Sequence, residues 1–171
     1  MSYTTISNAS KVLRSTLWNK FRDDPEFKSI IDNEAAIVFD SPAVIVPDGA
    51  ARLSVWLYSV SINESFRNLM PPGDNPARSG QAPVQLNLHY LITPFGNSSE
   101  QEHLLLDGVI QFLYAHPVLE QLSSGEPTSG RADISIVSLT IAELTNLWAA
   151  LRVPFRPSIA CQVRLSTGIR V

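Results

Sequence analysis

The chain has 171 residues, which fits one domain of ordinary size that can bury a core without disulfide bonds or metals. With 44% hydrophobic and 17% charged residues, it is neither a disordered polyampholyte nor a charged coiled coil. The net charge of −3 provides no basic surface for nucleic acid, so no nucleic-acid partner is predicted. The single cysteine, Cys161, excludes an internal disulfide framework and is typical of a reducing compartment.

The first 46 residues predict helices followed by short extended segments. Apolar residues recur at steps of three and four over residues 5–23, which predicts a first helix. Asp24 before Pro25 predicts an N-cap and a short helix over residues 25–32. Residues 35–39 are a brief strand candidate, and residues 43–46 are predicted to be a second short extended segment.

Two long strands are predicted in the middle of the chain. Residues 52–61 carry apolar groups on both faces, which is typical of a central strand covered on both sides. Residues 84–93 alternate strictly, so one side should pack while the polar side is wet or contacts a partner. Pro94 is expected to stop this strand. The proline- and glycine-rich segment 70–80 between the strands is predicted to be a long loop at the tip of a hairpin.

The second half of the chain predicts two helices and two strands. Residues 99–102 have the form of a capping box that opens a helix ending before Pro117. Residues 132–139 are strand-like. Residues 140–143 form a second capping box, which opens a short helix that Trp148 should fix onto the sheet. An alternating strand over residues 159–166 ends the pattern.

This order of elements predicts a single domain over residues 1–171 of mixed class, α/β in the sense of α+β. The expected architecture is a mixed β-sheet of about four to six strands with two or three packed helices. The N-terminal ten residues lack the apolar stretch of a secretion signal, and no apolar run approaches the ~20 residues that span a membrane. A cytoplasmic protein without membrane insertion is therefore expected.

The residue pattern favours no catalytic, cofactor or metal site. No G-x-S-x-G nucleophile motif is present, and Gly125 to Gly130 is followed by Arg131 where a phosphate-binding loop has lysine. Cys161 lies on the apolar side of a predicted strand, which favours a buried, unreactive thiol. The histidines are 13 or 14 residues apart, whereas local metal motifs use spacings of three to five: His89, His103 and His116. The protein is predicted not to be an enzyme.

Three arginines stand close in sequence around the last helix–strand junction: Arg152, Arg156 and Arg164. They form either a solvated rim or a contact patch, because arginine is enriched at protein interfaces. Both interpretations remain open from the residues alone.

Four segments together resemble one family of structural proteins. Residues 144–158 read L-x-x-L-W-x-A-L-x-x-P-x-R-P-S and precede an alternating strand. Residues 86–93 read L-x-L-x-Y-L-I-T, and residues 102–119 begin E-H-x-L-L and end H-P-V-L. With the strand beginning at Leu53, these motifs resemble, in the same order, the tail-terminator (cap) proteins of contractile injection systems that are similar to phage tails.

The resemblance implies a ring, expected to be a hexamer, that sits on the baseplate-distal end of a tube and its sheath and stops their polymerisation. Its partners would be further copies of itself, the sheath protein and the inner tube protein, with no cofactor. Alternatives are another structural adaptor of the same particle, a small enzyme with a non-standard site, or a monomeric binding domain. Loop 70–81 is expected to become ordered only on assembly. The candidate interface residues are Met70, Asn75, Arg78, Arg152, Phe155, Arg156 and Arg164.

Overall fold

The computed structural model describes residues 5–46, 49–63, 84–119 and 132–167. The helices of these residues are α1 (Thr5–Arg22), α2 (Pro25–Lys28), α3 (Ser99–Ala115) and α4 (Ile141–Leu151), with a 3₁₀ turn at Glu34–Ala36. The strands are β1 (Ile37–Val38), β2 (Arg52–Asn63), β3 (Val84–Phe95), β4 (Val118–Leu119), β5 (Ala132–Val137) and β6 (Ile159–Thr167).

The strands form one mixed sheet in the order β1-β2-β3-β6-β5-β4. Strand β1 is parallel to β2, and every other neighbouring pair is antiparallel. The predicted α+β class with a mixed sheet is therefore confirmed. The single-domain assignment over residues 1–171 stays a prediction.

The larger core lies between one face of the sheet and helices α1, α2 and α3. The alternating apolar residues of β3 and β6 supply its floor, as the sequence predicts, and α1 contributes Leu13, Leu17 and Phe21. The hydroxyl groups of Ser10 and Tyr90 are 2.8 Å apart, which satisfies the phenol inside this core. The helix layer is thus tied to the centre of the sheet by packing and by one buried hydrogen bond.

The opposite face of the sheet carries only α4 among the described helices. Its buried residue Trp148 packs on Leu91 and Ala160, which confirms the predicted role of the indole. The predicted capping box is also present. The Thr140 hydroxyl accepts from the Glu143 amide at 3.2 Å, and the Glu143 carboxylate accepts from the Thr140 amide at 2.8 Å.

Arg152 follows the last residue of α4 as its C-cap and adopts the left-handed conformation with φ of 57°. A residue with a Cβ is strained there by roughly 1–2 kcal/mol, whereas glycine is not. We expect Arg152→Gly to raise the free energy of unfolding by about 0.5–1 kcal/mol in urea titration. Arg152→Ala, which keeps the Cβ, is the matched control and should give no such gain. A loss of stability in the glycine variant would show that the arginine side chain outweighs the strain.

Two local predictions were wrong because nearby polar groups offered better partners. The N-cap of α3 is Ser98 instead of Ser99, since its hydroxyl accepts from the Gln101 amide. Glu102 then lies one turn inside the helix and accepts from the Gly96 amide at 3.2 Å. Residues 43–46 do not form a strand, because Pro42 starts a turn in which the Val44 amide donates to the Ser41 carbonyl at 3.0 Å.

The two long strands also differ from their predictions. Strand β3 continues through Pro94. Its pairing with β6 ends at Ile92, so Pro94 has a neighbouring strand on the β2 side only, and a proline without an N–H group is tolerated there. Strand β2 is buried on both faces only near Leu53 and Val55. The far end of β2 is open to solvent, as the 63% exposure of Ile62 shows.

Candidate interaction surfaces

Arg156 is held within the chain at the end of the sheet. Its Nη1 donates to Glu102 Oε1 at 2.8 Å, and its guanidinium lies 4.8 Å from the centre of the Phe95 ring. The charge-assisted hydrogen bond and the cation–π contact both restrict the guanidinium. Arg156 therefore joins the segment after α4 to the end of β3 and the start of α3.

Phe155 and Arg152 present more of their surface to solvent than Arg156 does. Phe155 is 54% exposed, and its ring centre lies 5.8 Å from that of Trp148. Arg152 is exposed at the end of α4. We call these two exposed residues the corner beside α4, and their role in a contact patch stays a prediction.

Arg164 is separated from that corner. It lies in β6 opposite Asn87 on β3 and Asp133 on β5, whereas Arg156 contacts Phe95 at the far end of β3. Phe95 is eight positions after Asn87, so the parts of β3 beside the two arginines lie roughly 26 Å apart along the strand direction. The three arginines that stand close in sequence thus belong to two ends of the sheet.

The remaining candidate interface residues, Met70, Asn75 and Arg78, lie outside the described residues, as does the loop 70–81. Their role stays a prediction.

The polar side of β3, which was expected to be wet or to contact a partner, is only partly open. Gln85 is 8% exposed and the Asn87 side chain is half-buried. The Asn87 Oδ1 atom is buried without a hydrogen-bond partner among the described atoms. His89 lies 6.0 Å from the Tyr58 ring. Burial raises the pKa of Tyr58, so this phenol stays neutral at physiological pH.

The described residues bring no three metal-ligating side chains together. His116 Nδ1 lies 3.0 Å from the Phe112 carbonyl and its ring stacks on Phe112, which is a structural role at the end of α3. His103 lines an open depression of about 560 Å³ between α2 and α3, together with acidic residues of both helices.

Cys161 is buried in the main core, as predicted, and burial raises the pKa of its thiol to about 12. Burial likewise raises the pKa of Tyr90 to about 12, against the opposing effect of its hydrogen bond to Ser10. Both groups remain neutral when folded. Because the unfolded chain releases these protons at lower pH, the stability that the two groups contribute should be fully present below about pH 8 and fall as the pH rises towards 12.

We expect the Cys161 thiol to resist a disulfide reagent at pH 8 in the folded protein, because only the thiolate reacts and the side chain is inaccessible. The absorbance of the released thiolate measures the rate. The same sample in 6–8 M denaturant is the control and should react at once. Rapid stoichiometric reaction of the folded protein would contradict a buried thiol.

One uncharged surface was not identified from the sequence. The outer side of β2 over residues 55–63 forms what we call the β2 edge. The available signal was the run from Leu53 to Asn63, which contains no charged residue and no proline. Such composition marks a surface that another chain can cover.

A model of the Pvc16 N-terminal domain family matches residues 8–167, which is nearly the whole chain. The chain belongs to the Pvc16 N-terminal domain family. This membership confirms the resemblance to tail-terminator proteins that the sequence motifs indicated. A search of curated protein sequences found no significant match.

Solved structures share the fold of this Pvc16 N-terminal domain. The sheath/tube terminator of PVC, an extracellular contractile injection system, in its extended state aligns with a TM-score of 0.66 and 22% identity over 96% of this chain. The tube-terminating cap of the anti-feeding prophage aligns with a TM-score of 0.56 and 20% identity over 86% of this chain. The aligned regions span 57% and 52% of those proteins, so the chain corresponds to little more than half of their length.

No helix of the described residues is long and apolar enough to cross a membrane.

Proposed function

We propose that this protein is the tail terminator of a contractile injection system. It forms a ring, a hexamer by this proposal, on the baseplate-distal end of the inner tube and its sheath. The ring stops polymerisation of both and closes the particle, which is assembled in the cytoplasm. The protein acts through shape and contact and transforms no substrate.

The observation that carries this proposal is the family match over residues 8–167, supported by the shared fold with two terminating proteins. One surface agrees with such a role. The β2 edge has no strand partner among the described residues over 55–63, and the run Leu53 to Asn63 carries no charge. Copies that dock together on a symmetric tube would multiply modest single contacts through their effective concentration.

Deletion of the gene followed by electron microscopy of the particles tests the proposal. We expect tubes of uncontrolled length, or no particles that survive purification, and normal length when the wild-type gene is restored. Particles of normal length and closed ends in the deletion strain would overturn the proposal.

The position of the protein separates a terminator from another adaptor of the particle. Gold-labelled antibody against a tagged, functional copy should mark only the end distal to the baseplate. Label at the baseplate or along the sheath would assign the protein to an adaptor role instead.

A further inference from the structure

The β2 edge is open over most of its length in the described structure. There, β1 pairs only with Leu53 and Ser54 of β2, and no described strand lies beyond residues 55–63 on that side. Natural edge strands are usually protected by charges, prolines or short length. The run Leu53 to Asn63 has none of these, since it is long and uncharged. Without a strand partner among the described residues, the outward backbone groups of residues 55–63 fit another extended segment.

Exposed apolar side chains lie along this edge on the face of the sheet that α1, α2 and α3 cover. Val60 is 46% exposed and Ile62 is 63% exposed. Their register partners on β3 are Leu88 and Leu86, which belong to the main core. The core surface thus continues outward past β3 and stops uncovered at Val60 and Ile62. A chain docking here would extend the same apolar layer.

The opposite edge of the sheet is β4, which lies at the same height along the strands as residues 61–62 of β2 and runs in the same direction. The registers place Leu119 of β4 in one row with Ile62, and Val118 in one row with Ser61. Three successive pairs are antiparallel from β3 to β4, and β2 is antiparallel to β3, so β2 and β4 run in the same direction. β1 already shows that β2 accepts a short parallel strand on this side.

An exposed aromatic residue stands close to β4 in sequence, at the end of a helix of the main core layer. Tyr114 near the end of α3 is 78% exposed and lies four residues before Val118. In a second copy of the same orientation, beside the β2 edge, β4 would occupy the rows of Ser61 and Ile62. Tyr114 of that copy would belong to the same layer as Val60 and Ile62. In such a contact, Tyr114 of one copy and the exposed Val60 and Ile62 of the other would add to one apolar layer.

We propose that the β2 edge of one copy receives the β4 edge of the next copy, so that the sheet continues from protomer to protomer. The two edges differ, so the contact is heterologous and generates a ring when the rotation closes. This inference rests on the proposed terminator function, for which it assigns the surface between neighbouring copies.

The direct test is a pair of engineered cysteines at Ser61 and Val118 in the full chain. Within one copy these positions are four strands apart, about 19 Å, whereas a disulfide needs Cα atoms closer than about 7 Å. A disulfide can therefore form only between copies. Cys161 is buried and should not interfere. Under mild oxidation, we expect Ser61→Cys with Val118→Cys to give a ladder of covalent oligomers ending at the ring.

Each single cysteine variant is the control for this experiment. Ser61 faces Val118 of a neighbour and not another Ser61, so neither single variant should form more than trace dimer. Equal crosslinking in a single variant would overturn the proposed pairing.

A charge at the edge provides an independent measurement. Ile62→Lys and Tyr114→Lys should each reduce the ring fraction at least tenfold in native mass spectrometry, because each places an ammonium in the apolar contact. Both sites are exposed, so folding should persist by circular dichroism. Ile141→Lys is the matched control, since Ile141 is 83% exposed on α4 and should leave the ring intact.

The outcomes separate this inference from the proposed function. A wild-type ring that neither crosslinks in the double variant nor responds to Ile62→Lys would overturn the edge pairing and leave the terminator role standing. Wild-type protein that stays monomeric in the presence of assembled tubes would overturn both.

Discussion

Replacement of Trp148 by alanine is expected to lower the free energy of unfolding by about 3–5 kcal/mol. Trp148 is 2% exposed and is the buried residue of α4, packed against Leu91 and Ala160 on the sheet. Truncation leaves a cavity and removes the main attachment of the helix. For a chain of this size, the midpoint of thermal unfolding should fall by roughly 10 °C or more. Urea titration followed by circular dichroism measures the loss.

Two variants test whether the loss depends on the buried position of Trp148 and on the size of its ring. Trp18→Ala should cost less, because Trp18 is only partly buried against the main core. Trp148→Phe should retain most of the stability, because the Trp148 Nε1 atom makes no hydrogen bond to the described residues and an apolar ring suffices there. If Trp148→Ala and Trp18→Ala lost the same small amount, α4 would not depend on Trp148 for its attachment.

Gly108→Ala is expected to destabilise the protein by about 1–3 kcal/mol, although alanine favours helices over glycine by about 1 kcal/mol. A Cβ at this position of α3 would lie 2.6 Å from Phe27 Cε1 and 2.9 Å from Phe21 Cε1. These two rings stack with centres 5.1 Å apart inside the core, so neither can move aside freely. The measurement is again the free energy of unfolding in urea.

A double-mutant cycle with Phe27→Leu tests the cause. The smaller side chain gives the new methyl group room, so the cost of Gly108→Ala should shrink by at least 1 kcal/mol in the Phe27→Leu background. Additive losses would show that the close approach of the ring does not cause the instability. A gain of stability in the single variant Gly108→Ala would mean that helix propensity outweighs packing at this contact.

Local sequence patterns predicted those elements whose signals act over a few residues. The caps at Asp24 and Thr140 were correct because each side chain reaches its own helix start, and the alternation from residue 159 placed Cys161 on the core face. The cap of α3 was wrong by one residue, since Ser98 and Ser99 are chemically equal candidates. Only the position of Arg156, 54 residues away from Glu102 in sequence, shows that this carboxylate has another partner.

The candidate interface residues show that closeness in sequence does not imply closeness in the structure. Arg152, Arg156 and Arg164 are close in sequence, but an extended strand carries its residues apart by about 3.3 Å each. The structure therefore places Arg164 at the other end of the sheet from Arg156. Arg156 forms an ion pair with Glu102 of the same chain. The β2 edge was not predicted, because strand order decides which strand is left without a neighbour.

The amino-acid sequence by itself determined the helices, the alternating strands and the family, since these depend on periodicity, on side chains near each other in the chain and on motifs in a fixed order. Tertiary structure alone decided the sheet order, the open edge of β2 and the close packing at Gly108. Those features arise from contacts between residues far apart in sequence, whose pairing no local pattern specifies.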